Sequence, residues 1–400
     1  MPSERLYYDD AYTVRFTSRV AAVGAHRDRP AIELERSYFY PESGGQEADR
    51  GTLGSRRVVD VQADEAGRVW HLIDGADPSL VAGAEAQGEV DWARRFDHMQ
   101  QHTGQHILSA ALERELKAPT VSSHLGEERS TIELPLPGTD WRAMERAELA
   151  ANRIVWEDRP VERHWTDAEG VQRFALRKRP QVAGRIRIVE IPDWDVSACG
   201  GTHTRRTGEV GAIKIVGWEK LRGNLRLEFL CGGRALRDHA WRTEALVEAA
   251  KRRTLKDRDL IAHLERAADE AREMRKRLEA LAEQALEAEC RERVGSPPRG
   301  VADFATARPR EDVRRFVIKC LEAGAPWAVA GAGSPDAVVV VGRAKALAFD
   351  VKTLLPGLLE RAKGKGGGSP DLLQVAAADA AAAEAAMRWA EREVAALVDG

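Results

Sequence analysis

Between Leu236 and Val294 the chain contains neither proline nor glycine. Within that stretch Leu260, Leu264, Ala267, Ala271, Met274, Leu278, Leu281, Ala285 and Ala288 recur with alternating spacings of four and three. A 3.5-residue repeat sustained over four heptads and flanked by Arg and Glu is incompatible with a strand. It predicts a long helix, 236 to 294, whose seam pairs with another helix in the chain or in a second copy. The alanines of the seam permit close approach but bury little area. GSPPRG (295–300) then ends the helix and marks a linker.

On either side of this helix the pattern changes. Residues 11 to 90 form short alternating or β-branched segments (YTVRFTSRVAAV, AIELERSYFY, SRRVVDVQAD, VWHLIDG) punctuated by Gly, Asp and Pro. Such spacing predicts a small β-barrel or curled sheet. From Trp92 a helical pattern runs through DWARRFDHMQQHTGQHILSAALERELK, and a mixed region with strands STIELPL, GRIRIVEIP and GAIKIVGWEK follows to about Glu228. The last hundred residues hold one strongly β segment, DAVVVVGRA, a glycine loop, GKGGGSPD, and an alanine-rich closing helix. The fold class expected is α+β.

Composition excludes several classes. At 43% hydrophobic and 31% charged residues, the chain is globular rather than disordered. No stretch approaches ~18 uninterrupted apolar residues, so no membrane span is expected. The start MPSERLYYDD lacks the features of a signal peptide. Four scattered cysteines, Cys199, Cys231, Cys290 and Cys320, do not make a disulfide framework, and a cytoplasmic location is expected. The net charge of −3, from 61 basic and 64 acidic residues, is silent about nucleic acid, because a local basic patch suffices for binding.

Two residue pairs carry chemistry. His102 and His106 lie four apart on the expected helix and project from one face. Cys199 and His203 repeat the spacing in the glycine-rich SACGGTHT. Two imidazoles plus a thiolate and a third imidazole suit Zn²⁺ in type and number, and one zinc per chain is expected. His98 continues the helical stripe and is read as a supporting neighbour rather than a ligand. His124, in TVSSHLGEE, is read as a polar loop residue near the cleft. Gln105 lies between the helical ligands and is expected to face away from them. Arg173, Arg177, Lys178, Arg179, Arg185 and Arg187 crowd into fifteen residues beside the Cys ligand, a run that is either a solvated face or an RNA contact.

HTGQH and CGGTH, in that order and about ninety residues apart, resemble the editing domain of alanyl-tRNA synthetase and its free-standing relatives, the AlaX trans-editing proteins. FYPESGGQEADRGTL (39–53) resembles the glycine-rich motif that precedes the editing core, and RFDHMQQHTGQHIL, TVSSHLGEERSTIEL and LRKRPQVAGRIRIVEIPDWDVSACGGTHT are similar to the longer AlaX type. GKGGGSPD resembles the signature of the DHH-associated C-terminal domain of the synthetase. The resemblance implies four parts: a glycine-motif β-barrel (1–90), a zinc-binding editing core (91–235), a helical, coiled-coil-like spacer (236–295) and an α/β DHH-associated tRNA-binding domain (296–400). It implies His102, His106, Cys199 and His203 as zinc ligands. Gly44, Gly45, Gln46 and Thr202 become candidates for the aminoacyl group, and Lys363, Lys365, Gly366 and Gly367 for tRNA. A homodimer through the spacer or the C-terminal domain is compatible with it.

The reaction implied is zinc-dependent hydrolysis of the ester joining serine or glycine to alanine tRNA. Only 38 residues precede the glycine motif, too few for a class II aminoacylation domain, so editing without charging is expected. Three rivals stand beside this reading. A DHH-type phosphoesterase needs a DHH tripeptide, which the chain lacks. Threonyl-tRNA synthetase-like editing uses a related His pair but not the CGGTH context. A non-catalytic tRNA-binding protein with a structural zinc keeps every motif.

Overall fold

Six strands near the N-terminus pair in closed cyclic order, so that each has a neighbour on both sides: β1 (Arg15–His26), β2 (Arg29–Leu34), β3 (Gly51–Leu53), β4 (Arg56–Ala63), β5 (Val69–Ile73) and β6 (Glu85–Val90), arranged β1-β2-β5-β4-β3-β6 and back to β1. All of these pairings are antiparallel. Closure leaves no unpaired edge, and alternate residues such as Val20, Ile32, Leu53, Val61 and Ile73 fill the inside. The computed structural model describes residues 3–26, 29–178, 184–333 and 336–399. It divides into two units, Met1–Asp257 and Arg258–Gly400.

The ring leads into α1 (Trp92–Leu116), whose N-terminus is capped by Asp91 accepting from the Arg94 N–H. Fifteen of its 25 residues are buried, so it is enclosed on nearly every side rather than amphipathic. Its one glycine has a packing cause. A Cβ at Gly104 would lie 2.2 Å from Cys231 Sγ, so only glycine lets α1 lie this close to the neighbouring strand. Arg95 fixes α1 to the ring: fully buried, it pairs with Asp49 and donates to the carbonyls of Ala11 and Tyr38 at 2.7 and 2.5 Å.

After α1 come β7 (Ser122–Leu125), β8 (Ser130–Leu134), α2 (Trp141–Trp156), β9 (Glu162–Thr166), β10 (Ile186–Ile191), β11 (Asp195–Ala198), β12 (Ile213–Leu221), β13 (Asn224–Cys231) and α3 (Gly232–Lys251). They make a four-stranded sheet ordered β12-β13-β8-β7 and a three-stranded sheet ordered β9-β10-β11. The apolar core of this part includes Ile107, Leu108 and Leu112 of α1, Met144 and Ala151 of α2, and Leu227 of β13.

The second unit begins with α4 (Leu260–Val294), followed by β14 (Val301–Ala305), α5 (Arg310–Glu322), β15 (Trp327–Ala332), β16 (Val338–Arg343), α6 (Leu355–Ala362), β17 (Gly366–Gly368), β18 (Leu372–Ala376) and α7 (Ala380–Asp399). Its mixed sheet is ordered β14-β15-β16-β18-β17. Val329, Val341, Leu358 and Ala386 belong to one core cluster. Val317, Ala330 and Val340 belong to another, with Cys290 of α4.

The single helix expected over 236–294 is two helices. The Thr254 N–H donates to Lys251 O and the Leu255 N–H to Ala250 O, and Thr254 stands at φ 57°. This is a helix stop of the Schellman type built without glycine, which is why no sequence signal announced it. The division between the two units falls in the link that follows. The heptad seam lies wholly on α4, and its middle is open: Leu264, Met274, Leu278 and Leu281 are 41 to 61% exposed. No helix covers them among the described residues.

Candidate metal centre

The four residues of the two pairs meet. Ligand atoms of His102, His106, Cys199 and His203 all lie within 4.8 Å of one another. Two come from successive turns of α1; the other two come from the loop after β11. Cys199 Sγ is 3.3 Å from Nε2 of His102 and 3.3 Å from Nε2 of His203. The three imidazole rings pack against one another in the interior, with centres 4.4 to 5.3 Å apart.

Each imidazole is held by its other nitrogen. His102 Nδ1 lies 2.7 Å from Gln46 Oε1, His106 Nδ1 2.8 Å from Asp195 Oδ2, and His203 Nδ1 3.2 Å from Thr103 Oγ1. Such contacts leave Nε2 to face the centre and set the ring orientation, the usual arrangement of metal-binding histidines. Asp195 is in turn held by Arg177 Nε at 2.6 Å and by the Ser197 hydroxyl at 2.9 Å. The Cys199–Gly201 loop is fastened by Arg187, whose Nη1 donates to Cys199 O and Gly201 O, both at 2.9 Å.

The electrostatics agree with this geometry. Burial disfavours the Cys199 thiolate, but interaction with the adjacent His102 and His203 outweighs burial and holds the thiol well below its ordinary range. Burial, with His102 beside it, pushes His203 well below the imidazole range, toward the neutral form. His106 is pulled down by burial and pushed up by its bond to Asp195, and the net is about 9. Asp195, raised by burial but lowered more by His106, sits at about 2. A metal ion held at the centre would take the place of that imidazolium proton. A thiolate and three anchored imidazoles fit a borderline-soft cation with tetrahedral preference, as zinc is.

The glycine motif acts through Gln46. Gly44 (φ 59°) and Gly45 (φ 84°) form a two-residue turn closed by reciprocal hydrogen bonds between Ser43 and Gln46. Two successive positive φ values favour glycine. The turn drives Gln46 into the interior, where its side-chain amide reaches both His102 and Thr202 (Gln46 Nε2 to Thr202 Oγ1, 2.8 Å). Gln46 and Thr202 are fully buried and bonded to each other; Gly44 lines the open space above the cluster.

That space is a cavity of about 590 Å³. Gln105, expected to face away, lines it and donates to Ser109 Oγ at 2.7 Å. Of the basic run, Arg177, Lys178, Arg185 and Arg187 line the cavity. Arg173 is exposed elsewhere, and Arg179 lies outside the described residues. His98 is buried in α1 away from the metal group, its Nδ1 without a hydrogen-bond partner among the described residues. Burial, then the nearby Arg94, lowers it to about 4. His124 is exposed on β7.

Asp195 and Thr103, and Trp165, which lines the cavity, were missed in the sequence. Asp195 was legible: Asp195, Ser197 and Cys199 alternate at the spacing that puts strand residues on one face. Thr103 and Trp165 carry no such signal.

In the second unit, Lys363 ends α6 at φ 50° and Lys365 precedes β17; both are exposed. Gly366, Gly367 and Gly368 are not a free loop. They pair with β18 as an edge strand, and a Cβ at Gly364, Gly366 or Gly368 would lie within about 2.2 Å of a backbone carbonyl oxygen of the facing chain. Only Gly367 faces open space.

Residues 186–228, which contain Cys199 and His203, match the family described as threonyl and alanyl tRNA synthetase second additional domain. The alanyl-tRNA editing protein AlaX-L of Pyrococcus horikoshii is 37% identical over 242 residues, 58% of this chain and 59% of that protein. The alanine–tRNA ligase of Methanopyrus kandleri is 38% identical over 329 residues, 78% of this chain and 35% of the ligase. That of Archaeoglobus fulgidus is 32% identical over 395 residues, 93% of this chain and 42% of the ligase. The chain therefore spans less than two thirds of the length of each of these relatives. By these matches, and with its four-residue cluster assembled, the chain is similar to the alanyl-tRNA editing proteins of the AlaX type and to the alanine–tRNA ligases.

Proposed function

We propose that this chain is a zinc-dependent hydrolase that removes serine, and glycine, from mischarged alanine tRNA. The observation that carries the reading is the convergence of His102, His106, Cys199 and His203 beneath a cavity rimmed by arginine and lysine. The physical need for such an enzyme is plain. A pocket shaped for alanine cannot exclude the smaller glycine by size, and rejects serine by only ~10²-fold, so a second hydrolytic site is required.

A bound zinc supplies Lewis-acid polarisation of the ester and a lowered pKa for attacking water. The chain's own groups do the rest. His102, His106 and His203 are fixed in ring orientation by Gln46, Asp195 and Thr103. Arg187 holds the Cys199–Gly201 loop. Gln105 offers an amide to the aminoacyl group from the wall, and Arg177 and Lys178 place positive charge where an RNA backbone enters. Gly44 bounds the same space, whereas Gln46 and Thr202 act through His102 rather than by contact with substrate.

One observation favours a second reading: four protein ligands form a closed set, which is typical of structural zinc. Incubating the purified protein with Ser-tRNA(Ala), Gly-tRNA(Ala) and Ala-tRNA(Ala) separates the two. Selective release of serine or glycine, lost on chelation and restored by zinc, is expected. Stoichiometric zinc without deacylation supports the structural role and overturns the enzyme.

The four-part organisation, the cytoplasmic location and tRNA binding by Lys363, Lys365, Gly366 and Gly367 belong to the same proposal. The second unit would raise the local concentration of the ester at the cluster. Removing residues 258–400 is expected to raise KM strongly and to change kcat little. An unchanged KM would remove tRNA binding from that unit.

A further inference from the structure

A short stack of aromatic and guanidinium groups stands beside the metal cluster, and of its members only Arg187 helps to hold the ligand loop. Trp165, on β9, is half-buried and lines the cavity. The Arg185 guanidinium carbon lies 4.2 Å from the centre of its ring. Tyr8 meets Trp165 edge-on, with ring centres 5.5 Å apart, and lies over Arg187 at 5.5 Å. Tyr8 also abuts the ligand loop: a Cβ built on Gly200 would lie 3.7 Å from the Tyr8 hydroxyl. Cys199, Gly200, Tyr8, Trp165 and Arg185 thus follow one another along a single wall.

Arg187 adds an independent observation. It is 5% exposed and lines the cavity. Its Nη1 is engaged by the ligand loop, while Nε and Nη2 are buried with no hydrogen-bond partner among the described residues. Two orphaned charged donors in the wall of a cavity cost considerable free energy unless a ligand oxygen meets them.

We infer that Tyr8, Trp165, Arg185 and Arg187 form a subsite for the terminal nucleotide of an RNA acceptor strand. The base stacks on the Trp165–Arg185 pair, since nucleobases recognised in single strands lie on aromatic rings and guanidinium planes. Arg187 donates to an oxygen of the attached sugar or phosphate. The ester then falls beside Cys199 because Tyr8 and Gly200 separate the two by a single contact. This subsite rests on the reading of the cavity as an aminoacyl-RNA hydrolase site, and it assigns to Trp165 a positioning role rather than a catalytic one.

The test uses the full chain with zinc and a serylated RNA minihelix ending in adenosine, beside the same minihelix ending in an abasic ribose. Trp165→Ala is expected to raise KM about ten-fold on the adenosine-ended RNA, the size of one lost base stack, with kcat nearly unchanged. Wild type should lose the same factor on the abasic RNA, and the variant should lose nothing further there. Trp165→Phe should restore most of the affinity, which keeps the test valid if the alanine variant folds poorly. An equal effect of Trp165→Ala on both RNAs, or no effect on either, overturns the subsite. Binding of the uncharged minihelices reads stacking without hydrolysis. A preference for the adenosine end, lost in Trp165→Ala, in a protein that hydrolyses nothing would uphold the subsite and overturn the proposed activity.

Discussion

The two long helices α1 and α4 make opposite use of their sequences. α4 carries the most regular apolar repeat in the chain, yet only Leu260, Cys290 and Val294 of its 35 residues are buried. α1 has no clean stripe, yet fifteen of 25 residues are buried and it carries half of the candidate metal cluster. Periodicity reports the shape of a helix and the face it offers; it does not report what comes to cover that face. Burial of α1 comes from elements that arrive from far along the chain: Gln46, Asp195, Cys231 and Arg234 all reach it.

The largest effect expected concerns what only α1 carries. His106→Ala combined with Cys199→Ala should abolish stoichiometric zinc, measured by elemental analysis, and hydrolysis with it. Retained zinc would mean that the cluster on α1 is not the metal site. Loss of ligands should also lower the melting temperature of the first unit, because metal binding and folding are coupled.

Acid should attack α1 next. Burial holds His98 down at about 4, so its neutral form is favoured in the folded state. Its contribution is complete above pH 6.5, falls as the pH drops, and is lost once the pH passes below about 4, a change of about 3 kcal/mol. Urea unfolding at pH 7 and pH 4.5 should show a smaller difference for His98→Gln than for wild type. An equal difference would mean that His98 is solvated.

Gly104→Ala sharpens the same contrast with a single methyl group. The added Cβ meets Cys231 Sγ at 2.2 Å, and the strain should cost about 1–3 kcal/mol despite alanine's better helix propensity. A stabilised variant would show that α1 can shift from β13.

The smallest effect is expected on α4. Leu264→Lys with Leu278→Lys should leave stability within about 0.5 kcal/mol, as for other exposed positions, and act only on self-association, read by sedimentation. A fall in melting temperature of several degrees for the isolated chain at low concentration would mean that the seam is covered within one molecule.

The candidate ligands could be picked out in the sequence because each pair is local. Spacing of four on a helix puts His102 and His106 on one face, and the same spacing in a glycine-rich loop marked Cys199 and His203. The helix break at Thr254 was not legible, because the left-handed residue there is threonine rather than glycine. Neither was the part played by the GKGGG glycines. Their composition suits a phosphate loop, but three of them are required by close approach to the facing backbone.

By itself, then, the sequence determined the local geometry: most of the helix and strand segments, which side chains share a face, and the types of the candidate ligands. Tertiary structure decided what those faces meet. It brought Gln46, Thr103 and Asp195 to the outer nitrogens of three imidazoles, and set Trp165 and Arg185 beside the ligand loop. The physical reason is range. Backbone sterics and residue spacing act over a few positions, whereas Gln46 and His102 are 56 residues apart and His106 and Asp195 are 89. Contacts of that separation exist only once packing has closed the chain around them.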